Sequence, residues 1–167
     1  MRKDVQVSVL GILDAGGGPE AVLTRTTGIC SPQGGGYQVS YREVDEHGNA
    51  TDNLLFLSQT EIRIDRSGSI SGSFRFIPGE RTEALYRTPF GDIGFLAETE
   101  SCTVETDGSG LEARLEYRLY EGGRLFSQNT LSVHIREDGG DGPAPDHTTS
   151  NLVKCQEENK KDFLEEG

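Results

Sequence analysis

The 167-residue sequence has few of the features that mark secreted, metal-binding or membrane proteins. Its three cysteines, Cys30, Cys102 and Cys155, are widely spaced and odd in number, which indicates neither a disulfide framework nor a thiolate zinc site, so we expect free thiols. No stretch approaches the ~18 consecutive apolar residues of a membrane-spanning helix. Near the N-terminus a polar residue separates Val5 from Val7, as in a strand and unlike a secretion signal, and we therefore expect a cytoplasmic protein.

Positive charge is also scarce. The 28 Asp and Glu residues outnumber the 16 Lys and Arg residues, and the net charge is −12. An excess of negative charge disfavours broad contact with phosphate backbones and with anionic lipid surfaces. The composition therefore predicts that neither a nucleic acid nor a membrane is a partner.

Sequence motifs of catalytic sites are missing as well. There is no Gly-x-Ser-x-Gly elbow and no His-Glu-x-x-His helix, and the glycine runs at 16–18 and 34–36 precede no helix that could bind phosphate. His47, His134 and His147 fall respectively in a turn, on the outer side of a strand and in the C-terminal segment. Because these histidines do not converge with a carboxylate, we expect no catalytic site, no metal and no cofactor.

Short runs of alternating apolar and polar residues fill the chain as far as residue 136. The 33% of hydrophobic residues are enough for one core and for one domain. The period of two is that of half-buried strands, and glycine or proline turns separate the runs. The pattern predicts hairpins that join 4–13 to 20–31, 37–44 to 51–58 and 60–66 to 69–77, followed by strands at 81–88, 91–105 (one long or two short), 111–120 and 124–136.

These nine or ten strands predict an all-β fold. No segment before residue 137 shows an apolar stripe of helical period, so the crossovers of a parallel sheet have no helices to use. An antiparallel meander of many short strands removes its exposed edges by closing on itself. We predict an antiparallel up-and-down β-barrel of about 8–10 strands over residues 1–136, with a tightly curled sandwich as the alternative.

The composition changes in residues 137–167. Glycine and proline open this segment, and it carries nine acidic residues against three lysines. We predict an acidic C-terminal tail that is disordered or loosely docked, with a short helix from Ser150 to Phe163 as the alternative.

Several short strings in the barrel region carry a family resemblance. They are Arg25-Thr-Thr-Gly28, Tyr41-Arg-Glu43, Arg66-Ser-Gly68, Phe76-x-x-Gly79, Tyr86-Arg-Thr-Pro-Phe-Gly91, Tyr117-x-Leu119 and Asn129-x-Leu131. In this order they resemble the YwiB-like family, small bacterial proteins of uncharacterised function. The resemblance implies, over about residues 4–136, a calycin-like β-barrel similar to lipocalins and fatty-acid-binding proteins, and with it a tendency to hold small molecules. It implies no catalytic residues, and because the sequence has no tryptophan the Gly-x-Trp signature of lipocalins is missing.

Arginine is concentrated in residues 62–91. This stretch holds five arginines against three acidic residues and is locally positive in a strongly acidic chain. A guanidinium can form paired hydrogen bonds with a carboxylate or a phosphate, so a ligand anion could bind here. Codon bias explains the preference for arginine equally well.

Strand alternation selects the residues of a candidate ligand site. Arg66 has the parity of Ile62 and Ile64, and Tyr86 has that of Ala84, so we expect both side chains to point into the barrel. The alternatives are that Arg66 braces the adjacent turn and that Tyr86 belongs to the core.

Tyr41 and Phe74 are the predicted apolar walls of this site. Arg25 shares a face with Leu23 and Ile29, which predicts a cation inside the barrel unless that end of the strand is exposed. A buried arginine needs a partner, for which Glu43, Glu61, Glu83 or a bound anion could serve.

The leading hypothesis is a non-enzymatic binding protein that holds a small amphipathic or anionic molecule in its barrel. The alternative is a barrel filled by its own side chains that serves as a protein–protein interaction module. An enzyme is the third possibility, because no catalytic constellation is visible.

Overall fold

The computed structural model describes residues 2–137, which form ten antiparallel strands. Alternating side chains and glycine-containing turns produce the strands, as the period of two predicts. In chain order they are β1 (Lys3–Asp14), β2 (Pro19–Gln33), β3 (Gly36–Val44), β4 (Ala50–Leu57), β5 (Ile62–Gly68), β6 (Ser71–Phe76), β7 (Arg81–Thr88), β8 (Gly91–Asp107), β9 (Gly110–Glu121) and β10 (Arg124–Glu137).

Each strand pairs with the next along the chain, and β10 pairs with β1, so the sheet closes into an up-and-down barrel. The predicted fold class is confirmed, and residues 2–137 contain no helix. No helix long and apolar enough to cross a membrane occurs in this part of the chain. The predicted C-terminal tail lies outside the described residues, apart from Glu137 at the end of β10.

The barrel interior follows the predicted alternation. On β9, Leu111, Ala113 and Leu115 are buried, whereas Glu112 and Arg114 between them are exposed. The inward residues pack closely toward the end of the barrel where the described chain begins and ends. A compact apolar layer, which we call the apolar layer, leaves no space for a water molecule between its side chains: Leu55, Leu57, Ile62, Ile64, Ala113, Leu115, Leu131 and Val133.

The opposite end of the barrel carries the turns β1–β2, β3–β4, β5–β6, β7–β8 and β9–β10, and we call it the turn end. Here the wall is less regular. β2 pairs with β1 from Pro19 to Cys30, but it pairs with β3 only over Gly28–Gln33. β2 and β3 therefore diverge toward the turn end.

Candidate functional site

One row of inward-facing residues crosses five neighbouring strands near the turn end. Direct cross-strand partners link Tyr41 on β3 to Asn53 on β4, Asn53 to Arg66 on β5, Arg66 to Gly72 on β6, and Gly72 to Tyr86 on β7. We call these five residues the Arg66 row. Residues directly opposite in an antiparallel pair have Cβ atoms about 5 Å apart, so the row forms a continuous band on the inner wall.

Arg66 and Tyr86 meet across the glycine between them. Nη1 of Arg66 donates a hydrogen bond to the Tyr86 hydroxyl over 2.9 Å, although two strand pairings separate the residues. A Cβ at Gly72 would lie 3.2 Å from Cδ2 of Tyr86 and 3.0 Å from the Leu85 carbonyl oxygen. The missing side chain therefore leaves room for the tyrosine ring to cross β6.

Asn53 is anchored on its other side by Glu43. Nδ2 of Asn53 donates to Oε1 of Glu43 over 3.2 Å, and a carboxylate only accepts hydrogen bonds, which fixes the orientation of the amide. Asn53 is 1% exposed, and its Oδ1 has no hydrogen-bond partner among residues 2–137. The row thus contains a buried acceptor that no group in the described part of the chain satisfies.

Further polar groups come from the opposite wall. Thr99 on β8 pairs with Tyr117 on β9, and both lie inside the barrel. Thr99 is 1% exposed, and its Oγ1 is likewise without a hydrogen-bond partner in the described part of the chain. Thr99 and Cys102 both point inward because the β8–β9 register shifts between Thr99 and Ser101.

Four aromatic rings form a chain that joins the two walls. The centroid of Tyr86 is 5.6 Å from that of Phe74, Phe74 stacks on Phe76 at 5.8 Å, and Phe76 lies 4.5 Å from Tyr117. Tyr86 and Tyr117, which both carry a hydroxyl group, are therefore the two ends of one continuous chain of aromatic rings. An amphipathic environment results, with aromatic faces beside hydroxyl groups.

The charge of this site is carried by Arg66 and Glu43. The Tyr86 hydroxyl above all, and then the Glu43 carboxylate, raise the pKa of Arg66 against the opposing effect of burial, so the guanidinium stays charged. Burial raises the pKa of Tyr41 far above its ordinary range and raises the pKa of Tyr117 to about 12. Both phenols are therefore neutral near pH 7 and can donate or accept a hydrogen bond.

Arg66 differs from the other arginines of residues 62–91. The others lie on the outer face, where carboxylates balance them in surface ion pairs. These pairs are Arg63–Glu61 at 3.4 Å, Arg75–Glu61 at 2.7 Å, Arg81–Glu98 at 2.7 Å and Arg87–Asp92 at 4.0 Å. The locally positive stretch is therefore not one anion site, and a single inward guanidinium remains.

Four of the five predicted ligand-site residues come together, since Arg66, Tyr86, Tyr41 and Phe74 all line this part of the interior. The prediction of an inward Arg25 is wrong. Val5 pairs with Gly28 and Val7 with Thr26, which places the even-numbered residues of β2 inside and exposes Arg25 on the outer face.

Sequence reasoning overlooked Asn53, Thr99 and the spacer Gly72, and it treated Glu43 only as a possible partner of Arg25. The parity of Asn53 with Leu55 and Leu57 could have revealed an inward amide. The parity of Thr99 with Phe95 and Ala97 gave the same kind of signal, because the irregularity in β8 comes only after Thr99. Within residues 2–137 no group of three or more His, Cys, Asp or Glu side chains could hold a metal ion.

Comparison with known proteins identifies the family. A model described as a domain of unknown function, DUF1934, matches residues 7–133. The chain belongs to this family. The chain is 25% identical over 136 residues to the uncharacterised β-barrel protein YwiB of Bacillus subtilis (strain 168), an alignment that covers 81% of this chain and 94% of that protein. The resemblance to the YwiB-like family is therefore confirmed.

The fold is shared as well. The crystal structure of YwiB from Bacillus subtilis matches with a TM-score of 0.72 and 21% sequence identity over 81% of this chain and 92% of that chain. At this identity the likeness concerns the barrel alone. The family and its relative are both described as uncharacterised, so the function has to be argued from the site.

Proposed function

We propose that this barrel is a non-enzymatic protein that binds a small amphipathic or anionic molecule at the Arg66 row. One observation carries the proposal. The inward guanidinium of Arg66 forms a single side-chain hydrogen bond within residues 2–137, and its partner is the hydroxyl of Tyr86. A guanidinium has five N–H donors, the phenol accepts from one of them, and the charge, which Glu43 offsets in part, requires further compensation inside a protein wall. An anionic or strongly polar ligand group would supply it.

The surroundings of Arg66 favour an amphipathic ligand. Tyr41 and Phe74 provide apolar surface beside the guanidinium, and the aromatic chain continues to Phe76. Glu43 already balances part of the positive charge. A ligand with one small acidic group and an apolar remainder fits this arrangement better than a multiply charged anion.

Native mass spectrometry tests the proposal on protein purified without refolding. We expect an additional mass that disappears on denaturation, and we expect Arg66→Ala to reduce its occupancy strongly. A charge-assisted hydrogen bond contributes about 1.5–3 kcal/mol, which corresponds to roughly 10- to 150-fold in affinity.

Arg25→Ala is the matched control, because it removes the same side chain from the exposed outer face. The fraction of Arg25→Ala that carries the additional mass should equal that of the unmodified protein. Equal loss of the additional mass in both variants, or its full retention in Arg66→Ala, would contradict a site at the Arg66 row.

A second candidate function rests on the outer surface. The apolar layer leaves no room for a water molecule, and Phe90 is 70% exposed in the turn between β7 and β8. An open groove of about 760 Å³ is lined in part by Leu85, Leu96 and Tyr120. If the barrel is filled and this surface binds a protein, Phe90→Ser and Leu85→Ser should abolish binding of that partner protein, whereas Arg66→Ala should retain it.

A further inference from the structure

The row offers a donor and an acceptor side by side. Arg66 and Asn53 are direct cross-strand partners, so the guanidinium and the amide project from neighbouring positions of the same inner wall. The amide nitrogen is engaged by Glu43, and the amide oxygen is left buried without a hydrogen-bond partner in residues 2–137. An amide oxygen accepts hydrogen bonds and cannot donate them.

A simple anion would accept hydrogen bonds from Arg66 but would offer no donor to Asn53. A carboxylate bound to Arg66 would bring further acceptor oxygens toward Oδ1 of Asn53 and toward the Glu43 carboxylate, and acceptors do not pair with acceptors. A ligand that also carries an O–H or N–H group satisfies both wall positions at once. Buried polar groups in folded proteins are nearly always satisfied, which makes the unpaired Oδ1 an indication of ligand chemistry.

Two hydroxyl groups extend the same argument. Tyr41 and Tyr117 both interact electrostatically with Arg66, and burial keeps their hydroxyls neutral. A hydroxyl can act as donor or acceptor, so these groups adapt to the ligand and do not define it. Asn53 is therefore the group that discriminates.

We propose that the ligand of the Arg66 row carries an O–H or N–H donor next to its acidic group, as hydroxy acids and amino acids do, and that Oδ1 of Asn53 accepts this donor. The inference rests on the proposed function. It narrows the ligand from any small anion to one with both an acceptor and a donor within a few bonds of each other.

A matched pair of probe acids tests the inference. 3-Phenyllactate and 3-phenylpropionate have the same aromatic body and carboxylate and differ by one hydroxyl. Isothermal titration of the full chain should show about tenfold tighter binding of 3-phenyllactate, which is what one satisfied buried acceptor contributes. In Asn53→Leu, which has no acceptor, the two acids should bind with equal affinity.

A second variant guards against loss of folding in Asn53→Leu. Asn53→Asp keeps the size and the acceptor but replaces the donor to Glu43 with negative charge, so it should lower stability and favour a cationic donor. Phenylalanine should gain affinity relative to 3-phenyllactate in this variant, and thermal unfolding should show that the fold is retained.

The outcomes separate the two claims. Equal affinities of the two acids for the unmodified protein, with both weakened by Arg66→Ala, would overturn the donor inference and leave the proposed function standing. A tenfold preference that persists in Asn53→Leu would also overturn it, because the donor would then be bound elsewhere. Failure of both acids to bind would overturn the inference for this ligand class, while native mass spectrometry tests the proposed function independently.

Discussion

Two regions of the barrel interior differ in whether their buried groups find partners within the protein. The apolar layer is closed and needs nothing beyond its own side chains, since Leu55 and Ile62 are 1% exposed and no water fits between the residues of the layer. The Arg66 row begins at the next inward position of β4 and β5, and it leaves Oδ1 of Asn53 without a hydrogen-bond partner in residues 2–137. The first region contributes to stability, and the second gives up stability, which the proposed function attributes to ligand binding.

The comparison predicts its largest effect in the apolar layer. Leu55→Ala should destabilise the barrel by about 2–5 kcal/mol, because it removes buried methyl groups and leaves a cavity in a closed layer. Leu54→Ala, on the outer face of the same strand where Leu54 is 38% exposed, should cost less than about 1 kcal/mol. Urea unfolding of both variants measures the difference, and equal losses would show that the layer is not closed.

The second-largest effect is expected at alkaline pH, where buried tyrosines of the interior ionise. Burial raises the pKa of Tyr117 from 10.0 to about 12, and it raises the pKa of Tyr41 further. The stability that comes from the neutral phenols is complete below pH 10, and it is lost as the pH rises through about 12 because the folded state binds protons that the unfolded state has released. Tyr117→Phe should flatten the stability curve above pH 10, and an unchanged slope would contradict burial as the cause.

Gly72→Ala should disturb the Arg66 row and the adjoining β6–β7 backbone. The added Cβ would approach the Tyr86 ring to 3.2 Å and displace it from Arg66, at a cost of about 1–3 kcal/mol and with weaker ligand binding. Gly94→Ala is the control, because no atom lies within 4 Å of a Cβ at that position. Denaturant unfolding and ligand titration should leave Gly94→Ala unchanged or slightly stabilised.

The smallest effect is expected for Tyr86→Phe. It removes the hydroxyl that accepts from Arg66 and keeps the ring against Phe74, so unfolding should become easier by about 0.5–1.5 kcal/mol. Tyr120→Phe keeps its ring beside Arg81 on the outer face and should have no measurable effect. If Tyr86→Phe lowers the free energy of unfolding no more than Tyr120→Phe does, the hydroxyl of Tyr86 does not contribute to the site.

Much of the fold could be predicted from local pattern. All ten strands overlap predicted segments, and the long β8 is one strand where the sequence left open one or two. Alternation worked best over Leu111–Leu119 of β9 and Leu131–Ile135 of β10, because the apolar residues in these stretches occupy a single parity. On β2 it failed for Arg25, because Val22 has one parity and Leu23 and Ile29 have the other, so hydrophobicity does not identify the inner face.

The sequence by itself determined the strands, their turns, the all-β class and the inward direction of Arg66 and Tyr86. These features depend on residues close together in the chain, where backbone geometry fixes a period of two. The tertiary structure alone decided that Asn53 lies beside Arg66 and that Gly72 lies beneath Tyr86. Cross-strand register depends on how distant segments pair and on where a strand is irregular, and no local pattern encodes it.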